Sequence, residues 1–507
     1  MAECSRKNIP THKSRLTMKA PRILIVRPGG FIALLALATL GLFTLTAQVQ
    51  AADAAWTSTA NGSWGTDSNW SPATAPGSTS STNNTDIATF NTAITSRVEV
   101  AVDSNRNIGG ITFNYTYSPP SAAGDGFSLK NDLLVTSGGV IEEISTVTPT
   151  NERRTRFQND LRIQGDSATN SYTVRNNASS GQVRMYLNGV RVDAPASSAT
   201  TLYLDGSNTA ANTFGSAVND GTGSATLAVV KNGNGYWRLS SSTSTYSGGT
   251  TVNAGRLQYS GGNVSTSQVF GTGTLTLNGG MLQNTESVAG APLITTIANN
   301  IVMGGDFTFS TKAASYNTTN FSGTMNLGGA VRKITVSGAL DSAVILSGVI
   351  SNGGIEKTGV EKLILSGHNT YVDNTTVSAG SLDLTKDGWL TFAIGNNGVN
   401  NAILGSANVS LDGTFSFDLS GADTTAGNSW NIVNVGTLTE TWGGNFSVDG
   451  FSGSGGNWTK TDGGNTWTFE QSSGILSVVP EPNAVALFSL GVAALLYRSR
   501  RKKTRVS

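Results

Sequence analysis

The chain has 507 residues, enough for several ordinary domains or for one elongated domain whose core grows by repetition. It contains 61 Gly but 12 Pro, and its charged residues make up 13%, well below the usual quarter. Because the side chains that favour helices are scarce, this composition argues against a helical protein and favours short strands separated by turns.

The charges are distributed unevenly along the chain. Seven Lys or Arg precede Ala52 and six follow Tyr497, which leaves 20 of the 33 for the interior, against 30 of the 32 acidic residues. The interior therefore carries a net charge near −10, which argues against nucleic acid as a partner. The single Cys, Cys4, precedes the interior, so disulfides, Cys-ligated zinc and Cys nucleophiles are excluded there.

Residues 1–51 are predicted to be a secretory signal peptide, with Met18 as an alternative start. Basic residues precede the apolar stretch 31–45, and small polar residues follow it up to Ala51, the expected cleavage point. An uncleaved anchor is the alternative, although fifteen apolar residues fall short of the ~20 that span a bilayer.

The interior contains two segments that match each other, 230–259 and 356–384. The second predicts strands at 362–365, 375–377 and 381–384, separated by corners rich in Gly and Asn. Alternation with a period of two buries one face of each strand. Three short strands in about 25 residues are typical of one β-solenoid coil.

These two segments resemble the autotransporter-associated β-strand repeat. The second copy keeps the basic residue, the glycines and the aromatic residue of that pattern at Lys357, Gly359, Tyr371 and Gly380. The resemblance implies an all-β fold, a right-handed parallel β-helix, which we expect at 111–410 with repeats at about 230–259 and 356–384.

Tryptophan-rich segments flank the predicted solenoid. A solenoid needs its end turns covered, so we expect an N-terminal cap at 52–110 and a C-terminal β cap at 411–479. An aromatic platform for sugar stacking is the alternative for the N-terminal group. The tryptophans are Trp56, Trp64 and Trp70 in the first segment, and Trp430, Trp442, Trp458 and Trp467 in the second.

The segment 480–507 has the features of a targeting segment. Pro480, Glu481 and Pro482 precede an apolar stretch at 484–497, a single short membrane helix of about 21 Å against a hydrocarbon core of ~30 Å. A basic terminus would hold this end on the cytoplasmic side. Its residues include Arg498, Arg500, Arg501, Lys502 and Lys503.

This tail resembles a PEP-CTERM sorting signal, whose parts occur in the same order. The resemblance implies recognition and cleavage near the motif by an exosortase, a membrane-embedded transpeptidase of Gram-negative, exopolysaccharide-producing bacteria. We then expect the protein in the inner membrane during sorting, and afterwards at the cell surface or in the extracellular matrix. A plain membrane tail with an accidental Pro-Glu-Pro is the alternative.

Signatures of catalysis are absent from the sequence. Nucleophile-elbow, dinucleotide and P-loop motifs do not occur, and His368 is interpreted as a turn residue. No catalytic, cofactor-binding or metal-ligating residue is predicted, and calcium motifs are missing. The run 152–156, with Arg162 nearby, is the densest charge cluster; it is interpreted as a solvated outer face, with a grip on an anionic polysaccharide as the alternative.

The sequence therefore predicts an exported, non-catalytic β-solenoid of the surface or matrix, with a role in adhesion, biofilm or envelope structure. An extracellular polysaccharide is one candidate partner. A parallel β-helix polysaccharide lyase or hydrolase is the alternative, because such folds host clustered Asp, Arg and Lys in a groove. The aligned copies, however, place Ser, Thr, Gly and Asn at the matching positions.

Overall fold

The computed structural model describes residues 52–480, with gaps at 82, 118–123, 165–168, 194–197, 222, 261–265, 287–293, 312–317 and 339–341. The predicted signal peptide and the segment 481–507, with the predicted membrane helix and its basic end, lie outside the described residues. Within them the chain is all-β, with one 3-10 turn at Asp67–Asn69. No helix in the described ranges is both long and apolar enough to cross a membrane.

The strands form a parallel β-solenoid, as predicted, in which each turn hydrogen-bonds to the next along three ladders named here faces A, B and C. Face A contains Ala54–Trp56, Ile87–Phe90, Thr169–Asn176, Ala199–Asp205, Thr226–Lys231, Thr250–Val252, Leu275–Leu277 and Ile301–Met303. A short ladder of Trp389–Ala393, Thr414–Asp418 and Ser447–Val448 continues it in the last turns.

Face B contains Gly62–Ser63, Val98–Ala101, Gly124–Lys130, Arg153–Phe157, Val183–Leu187, Asn212–Phe214, Tyr236–Leu239, Arg256–Tyr259, Met281–Asn284, Phe307–Thr311, Thr375–Val377 and Ile403–Gly405. Face C contains Leu161–Ile163, Val190–Val192, Val218–Asn219, Ile294–Ile297, Thr318–Phe321, Ala343–Leu346, Lys362–Leu365, Ser381–Leu384, Asn408–Leu411 and Thr439–Trp442.

Four longer strands turn a corner and belong to two faces each. Asn107–Phe113 and Leu133–Glu143 run from face C to face A, and Met325–Ser337 and Ile350–Thr358 run from face A to face B. The remaining strands are antiparallel: Trp70–Ser71 at the start, and Ser429–Asn431, Ser452–Ser454, Asn457–Asp462, Asn465–Glu470 and Ile475–Pro480 at the end.

The interior of the solenoid is built from the alternating side chains of these strands. In Lys362–Leu365 the second and fourth residues are buried. Leu363 pairs with Leu382 on the next turn, and Leu382 pairs with Val409 on the turn after that. Full burial of one such aliphatic side chain contributes roughly 1.5–3 kcal/mol, so the stacked rows supply the core. The three strands predicted in this repeat occur with the predicted bounds.

Turn length varies more than the sequence suggested. Lys362 pairs with Ser381, 19 positions on, whereas Gly62 pairs with Val100, 38 positions on. Parallel pairing also extends outside the predicted solenoid bounds of 111 and 410, from Ala54 to residues of the turn that contains Val448. The cap segments therefore contribute turns of their own. The hand of the coil stays a prediction.

The two sequence repeats occupy different faces of the solenoid. The first copy starts on face A with Thr226–Lys231 and passes to face B, whereas the second starts on face B with the end of Ile350–Thr358 and passes to face C. The repeated unit is thus a corner with its two flanking strands, and any of the three corners can hold it.

Each repeat contains a buried lysine that binds this corner, an arrangement named here the lysine clamp. The Nζ of Lys357 donates to the carbonyl oxygens of Thr358, Gly359 and Ala379 at 2.8–3.0 Å. Lys231 binds Asn232, Gly233 and Ala254 in the same way. Since Ala379 and Ala254 belong to the following turn, each ammonium joins two successive corners.

Burial of these lysines has an electrostatic consequence. Both side chains are fully buried, and this desolvation lowers the pKa of Lys231 and of Lys357 to about 8. Asp205 and Glu361 oppose the shift by attraction to the ammonium groups. The charge is retained at neutral pH because three carbonyl oxygens replace the lost water.

Two stacked glycines show why the corners tolerate no side chain. Gly255 and Gly280 lie on successive turns with φ of +67° and +83°. A Cβ at Gly255 would come within 2.5 Å of the Gly233 carbonyl oxygen, and one at Gly280 within 2.6 Å of the Gly255 carbonyl oxygen. Glycine is needed both for the left-handed backbone and for the close approach of successive turns.

The N-terminal tryptophans close the first turn. Trp56, Trp64 and Trp70 are 0–2% exposed, and Trp70 lies 5.1 Å from Trp56 and 4.9 Å from Trp64 between ring centroids. All three contact Phe90, which stacks on Phe113 of the next turn at 5.0 Å. None of the three indoles presents an exposed ring face for stacking on a sugar.

The C-terminal tryptophans lie in or against an antiparallel sheet. Trp430 and Trp467 are buried and stack at 5.6 Å, and Trp442 and Trp458 are partly buried against the core. From the same sheet Phe469 contacts Phe415, at 5.8 Å between centroids. The sheet thereby joins the last turns of the solenoid.

One carboxyl group is enclosed in the core. Glu143 is fully buried, where the Thr155 hydroxyl donates to Oε2 at 2.6 Å and the Ser145 amide donates to Oε1 at 3.1 Å. Burial raises the pKa of Glu143 to about 7 and outweighs both hydrogen bonds. Tyr115 and the buried Arg153 are the neighbouring titratable groups, and burial followed by the Glu143 charge raises the pKa of Tyr115.

The lysine clamp predicts a large effect of Lys357→Met. Methionine fills the same space but leaves three carbonyl oxygens without a donor, so the free energy of unfolding should fall by about 2–4 kcal/mol. Amide hydrogen exchange should locate the loss at the corner of Gly359 and Gly380.

Lys362→Met is the matched control in the same repeat. Its ammonium is 46% exposed and pairs with Asp383, so this substitution should change stability by less than about 1 kcal/mol. Equal effects of the two substitutions would contradict the role assigned to the clamp.

Glu143 predicts a stability that depends on pH. Its pKa is about 7 in the folded chain against 4.5 unfolded, so its contribution is fully present below about pH 4.5 and is lost as pH rises through 7. Relative to Glu143→Gln, the wild type should lose roughly 3 kcal/mol across that window. Thermal unfolding of both proteins at pH 4 to 8 measures this, and parallel pH profiles would contradict it.

Candidate functional site

The predicted charge cluster is divided between the inside and the outside of face B. Alternation along Arg153–Phe157 sends Arg154 and Arg156 outward and Arg153 inward. Arg153 is 1% exposed and lies over the Tyr117 ring at 3.9 Å, so the interpretation of the whole run as a solvated face is wrong at this residue. Arg162 lies on face C, where it pairs with Asp193.

The outward arginines line a surface groove of about 320 Å³ with partners from later turns, named here the arginine groove. Arg154 and Arg184 pair across adjacent turns, as do Arg156 and Tyr186. Two turns further, Arg238 pairs with Thr213 of the intervening turn. The groove is lined by Glu152, Arg154, Arg156, Arg184, Met185, Tyr186, Ala211, Thr213, Arg238 and Ser240.

The groove forms because one turn contributes short side chains between longer ones. Ala211 and Thr213 stand at its middle, whereas Tyr186 and Arg238 rise on the turns to either side. The parallel register stacks residues in rows along the solenoid, so arginines that are far apart in sequence line one face. The resulting row could not be identified from the local charge run alone.

Positive charge dominates the arginine groove. Its lining holds four arginines and one acid, Glu152, which accepts from Arg154 Nε at 2.5 Å and pairs with Arg184 Nη1 at 2.8 Å. No residue in the described ranges hydrogen-bonds the buried Nε of Arg184. The groove thus keeps a local excess of cations in a body whose net charge is acidic.

Arg238 is the most distinctive of the four. Among the described residues it contacts no carboxylate, and its Nε and Nη2 donate to the neutral Gln258 Oε1 at 3.2 and 2.9 Å. Burial, followed by repulsion from Arg184, lowers the pKa of the Arg238 guanidinium. Side chains held against such repulsion are typical of functional sites, because stability alone does not favour them.

The basic surface continues toward the N-terminal turns. A second depression of about 310 Å³ adjoins the groove through Arg156 and Tyr186, and Arg97 and Lys130 line it. Both of these cations pair there with Glu99. The hydrogen bond from Lys130 lowers the pKa of Glu99, and burial of the carboxylate only partly opposes this shift.

His368 lies outside the groove, in the corner where the sequence placed it. The imidazole is exposed and stacks on Trp389 of the next turn, with ring centroids 4.5 Å apart and planes inclined by 17°. The described part of the chain contains no group of three or more His, Cys, Asp or Glu that could hold a metal ion.

The predicted sorting motif begins with the last residue of the last described strand. Pro480 is the last residue of Ile475–Pro480, and it pairs with Asn465 of the neighbouring strand. Glu481, Pro482 and the basic residues from Arg498 to Lys503 lie outside the described residues. The antiparallel sheet therefore runs directly into the motif without an intervening segment.

Comparison with known proteins agrees with both resemblances. Residues 229–258 and 355–384 match the Passenger-associated-transport-repeat family, and residues 478–502 match the PEP-CTERM protein-sorting motif. No curated protein and no solved structure matches the chain. The two family matches confirm the predicted recognition and support an exported, β-helical surface protein.

The electrostatics of the groove predict an unusual response to Arg238→Gln. Glutamine removes a desolvated charge that Arg184 repels, and this gain offsets the loss of the hydrogen bonds to Gln258, so the free energy of unfolding should stay within about 0.5 kcal/mol of wild type. Arg106→Gln is the control, because Arg106 donates to the carbonyl oxygen of Gly77 at 2.9 Å and also pairs with Asp103.

The control substitution should cost about 2 kcal/mol, since it leaves a partly buried carbonyl oxygen and a carboxylate without their donor. Chemical denaturation of both variants measures the difference. A loss at Arg238 as large as that at Arg106 would show that Arg238 is a structural residue.

Proposed function

We propose that this protein is an exported, non-catalytic β-solenoid of the cell surface or extracellular matrix, cleaved at Pro480-Glu481-Pro482 by an exosortase-type transpeptidase. The observation that carries the proposal is the junction at Pro480, where a finished fold meets a matched sorting motif. In this proposal the protein passes through the inner membrane of a Gram-negative bacterium during sorting.

The position of the motif supports processing of a folded substrate. Strand Ile475–Pro480 pairs with Ser429–Asn431 on one side and Asn465–Glu470 on the other, and both of these strands precede the motif. Cleavage beyond Pro480 would therefore remove the tail and leave the solenoid intact. The rigid extended backbone imposed by the two prolines suits recognition by an enzyme.

A structural role in adhesion, biofilm or envelope is supported by the character of the surface. Outward strand positions of the repeats carry polar side chains, among them Thr251, Thr376 and Ser381, together with charged ones. Glu152, the acid of the arginine groove, is held in ion pairs. The polysaccharide lyase or hydrolase alternative would place its chemistry in this groove. Shortening of an acidic polysaccharide on incubation with the purified protein would favour that alternative.

Substitution of Glu481 tests the sorting step. In the producing bacterium, Glu481→Ala should abolish removal of the tail, because the motif loses its only charged group, and the uncut chain should accumulate in the membrane fraction. Asn483→Ala, two positions further, should be processed like the wild type. Intact mass measurement of the protein from each cell fraction distinguishes cut from uncut chains.

Cleavage of the Glu481 variant at the wild-type position and rate would contradict the proposal. Retention of the tail in the wild type as well would identify the segment as a plain membrane tail.

A further inference from the structure

We propose that the arginine groove is a binding site for a linear acidic polysaccharide, one whose sugars carry carboxylate or sulfate groups. The proposal rests on the proposed function for the place where such a chain is met, at the surface or in the matrix. Binding itself depends on the groove alone.

The arginine groove is a positively charged patch on a body whose net charge is negative. Residues 52–479 carry a net charge near −10, yet the groove holds four arginines against Glu152. A local patch of this sign concentrates anions at the groove although the whole body repels them. Guanidinium groups also bind carboxylate and sulfate through two parallel hydrogen bonds, which an ammonium cannot do.

The guanidinium of Arg238 lies in the groove without an anionic partner among the described residues. Arg238 is desolvated beside Arg184, and among the described residues its guanidinium donates to an amide oxygen and pairs with no carboxylate. The fold therefore places two like charges next to each other, and no carboxylate of the described residues neutralises Arg238. An anionic ligand in the groove would give Arg238 a carboxylate or sulfate partner and reduce the repulsion between the two guanidinium groups.

The charges in the groove are widely spaced along the solenoid. Arg156, Tyr186, Thr213 and Arg238 form one row across four turns, in which the two middle residues are neutral. Successive turns lie about 4.8 Å apart, so the end arginines of this row are about 14 Å apart. A chain of sugars with intermittent anionic groups matches a row with charged ends and a polar centre.

Aromatic side chains stack on the arginine at one end of the row and on a further arginine just beyond the other end. Arg156 lies 5.0 Å from the ring centroid of Tyr186, and Arg256, on the next turn after Arg238, lies 4.1 Å from that of Tyr236. Stacking uses the face of the guanidinium, and its N–H groups lie in the plane of the group. Such preorganised donors lose less entropy when a ligand binds.

A nucleic acid fits this groove less well. Double-stranded DNA carries one charge per ~1.7 Å of axis, far more densely than the row of arginines, and the acidic body repels it over its length. We therefore assign the groove to a sparsely charged polysaccharide and make DNA a competing probe.

Direct binding measurements with the purified full-length protein test the proposal. The probes are fluorescently labelled hyaluronate, which carries a carboxylate on every second sugar, kappa-carrageenan, which carries a sulfate on every second sugar, and neutral dextran and double-stranded DNA of similar length. Fluorescence anisotropy at two salt concentrations gives each Kd. At least one of the two acidic polysaccharides should bind more tightly than both comparison probes, and the tighter one identifies the anionic group.

The groove is tested by the double substitution Arg184→Gln and Arg238→Gln, which should weaken binding of the acidic polysaccharide at least tenfold. The matched control is Arg175→Gln with Arg191→Gln, which removes the same charge from faces A and C, where these arginines pair with Glu142 and Asp132. The control should change the Kd less than threefold. Circular dichroism of both variants checks that they fold.

Three outcomes would overturn the proposal: equal weakening by the two double substitutions, binding of neither acidic polysaccharide, or tighter binding of DNA than of both. Each is measured on purified protein, so failure of the groove is distinguishable from failure of sorting, which is observed in cells.

Discussion

The parallel ladder between successive turns is the constraint on which the rest of this structure depends. Each strand is three to five residues long in most turns and gains its backbone hydrogen bonds from the turns on either side. A turn is therefore stable when its neighbours are in place and its corners bring the next turn within ladder distance. The lysine clamp, the stacked glycines and the two aromatic caps all serve this requirement.

The clamp explains why the sequence repeat is a corner and its flanking strands. Its ammonium binds carbonyl oxygens of two successive turns, so it needs a lysine at the end of one strand and glycines in both corners. Nothing in this contact depends on which face the strand belongs to. This is why the two copies are found on different faces and why the intervening turns keep the ladder without keeping the motif.

Much of the fold could be predicted from the sequence. The strands of the second repeat follow from the alternation in Lys362–Leu365 and the turn residues beside it, and the sorting motif is a contiguous pattern. The clamp is not evident from the sequence, because a lysine beside glycines resembles a solvated turn residue. Its partner on the following turn lies 22 or 23 positions away along the chain. The arginine groove was anticipated as a charge run but not as a site, because Arg184 and Arg238 join Arg154 through the ladder register.

In the proposed function, the solenoid formed by the described residues is exported and separated from its tail. Peptide-level mass spectrometry of the protein from its producing bacterium, fractionated into membrane, envelope and medium, tests this most directly. The expected result is a mature chain that begins near Ala52, ends near Glu481 and is found in the envelope or medium. A chain that keeps residues 484–507 and stays in the inner membrane would contradict it.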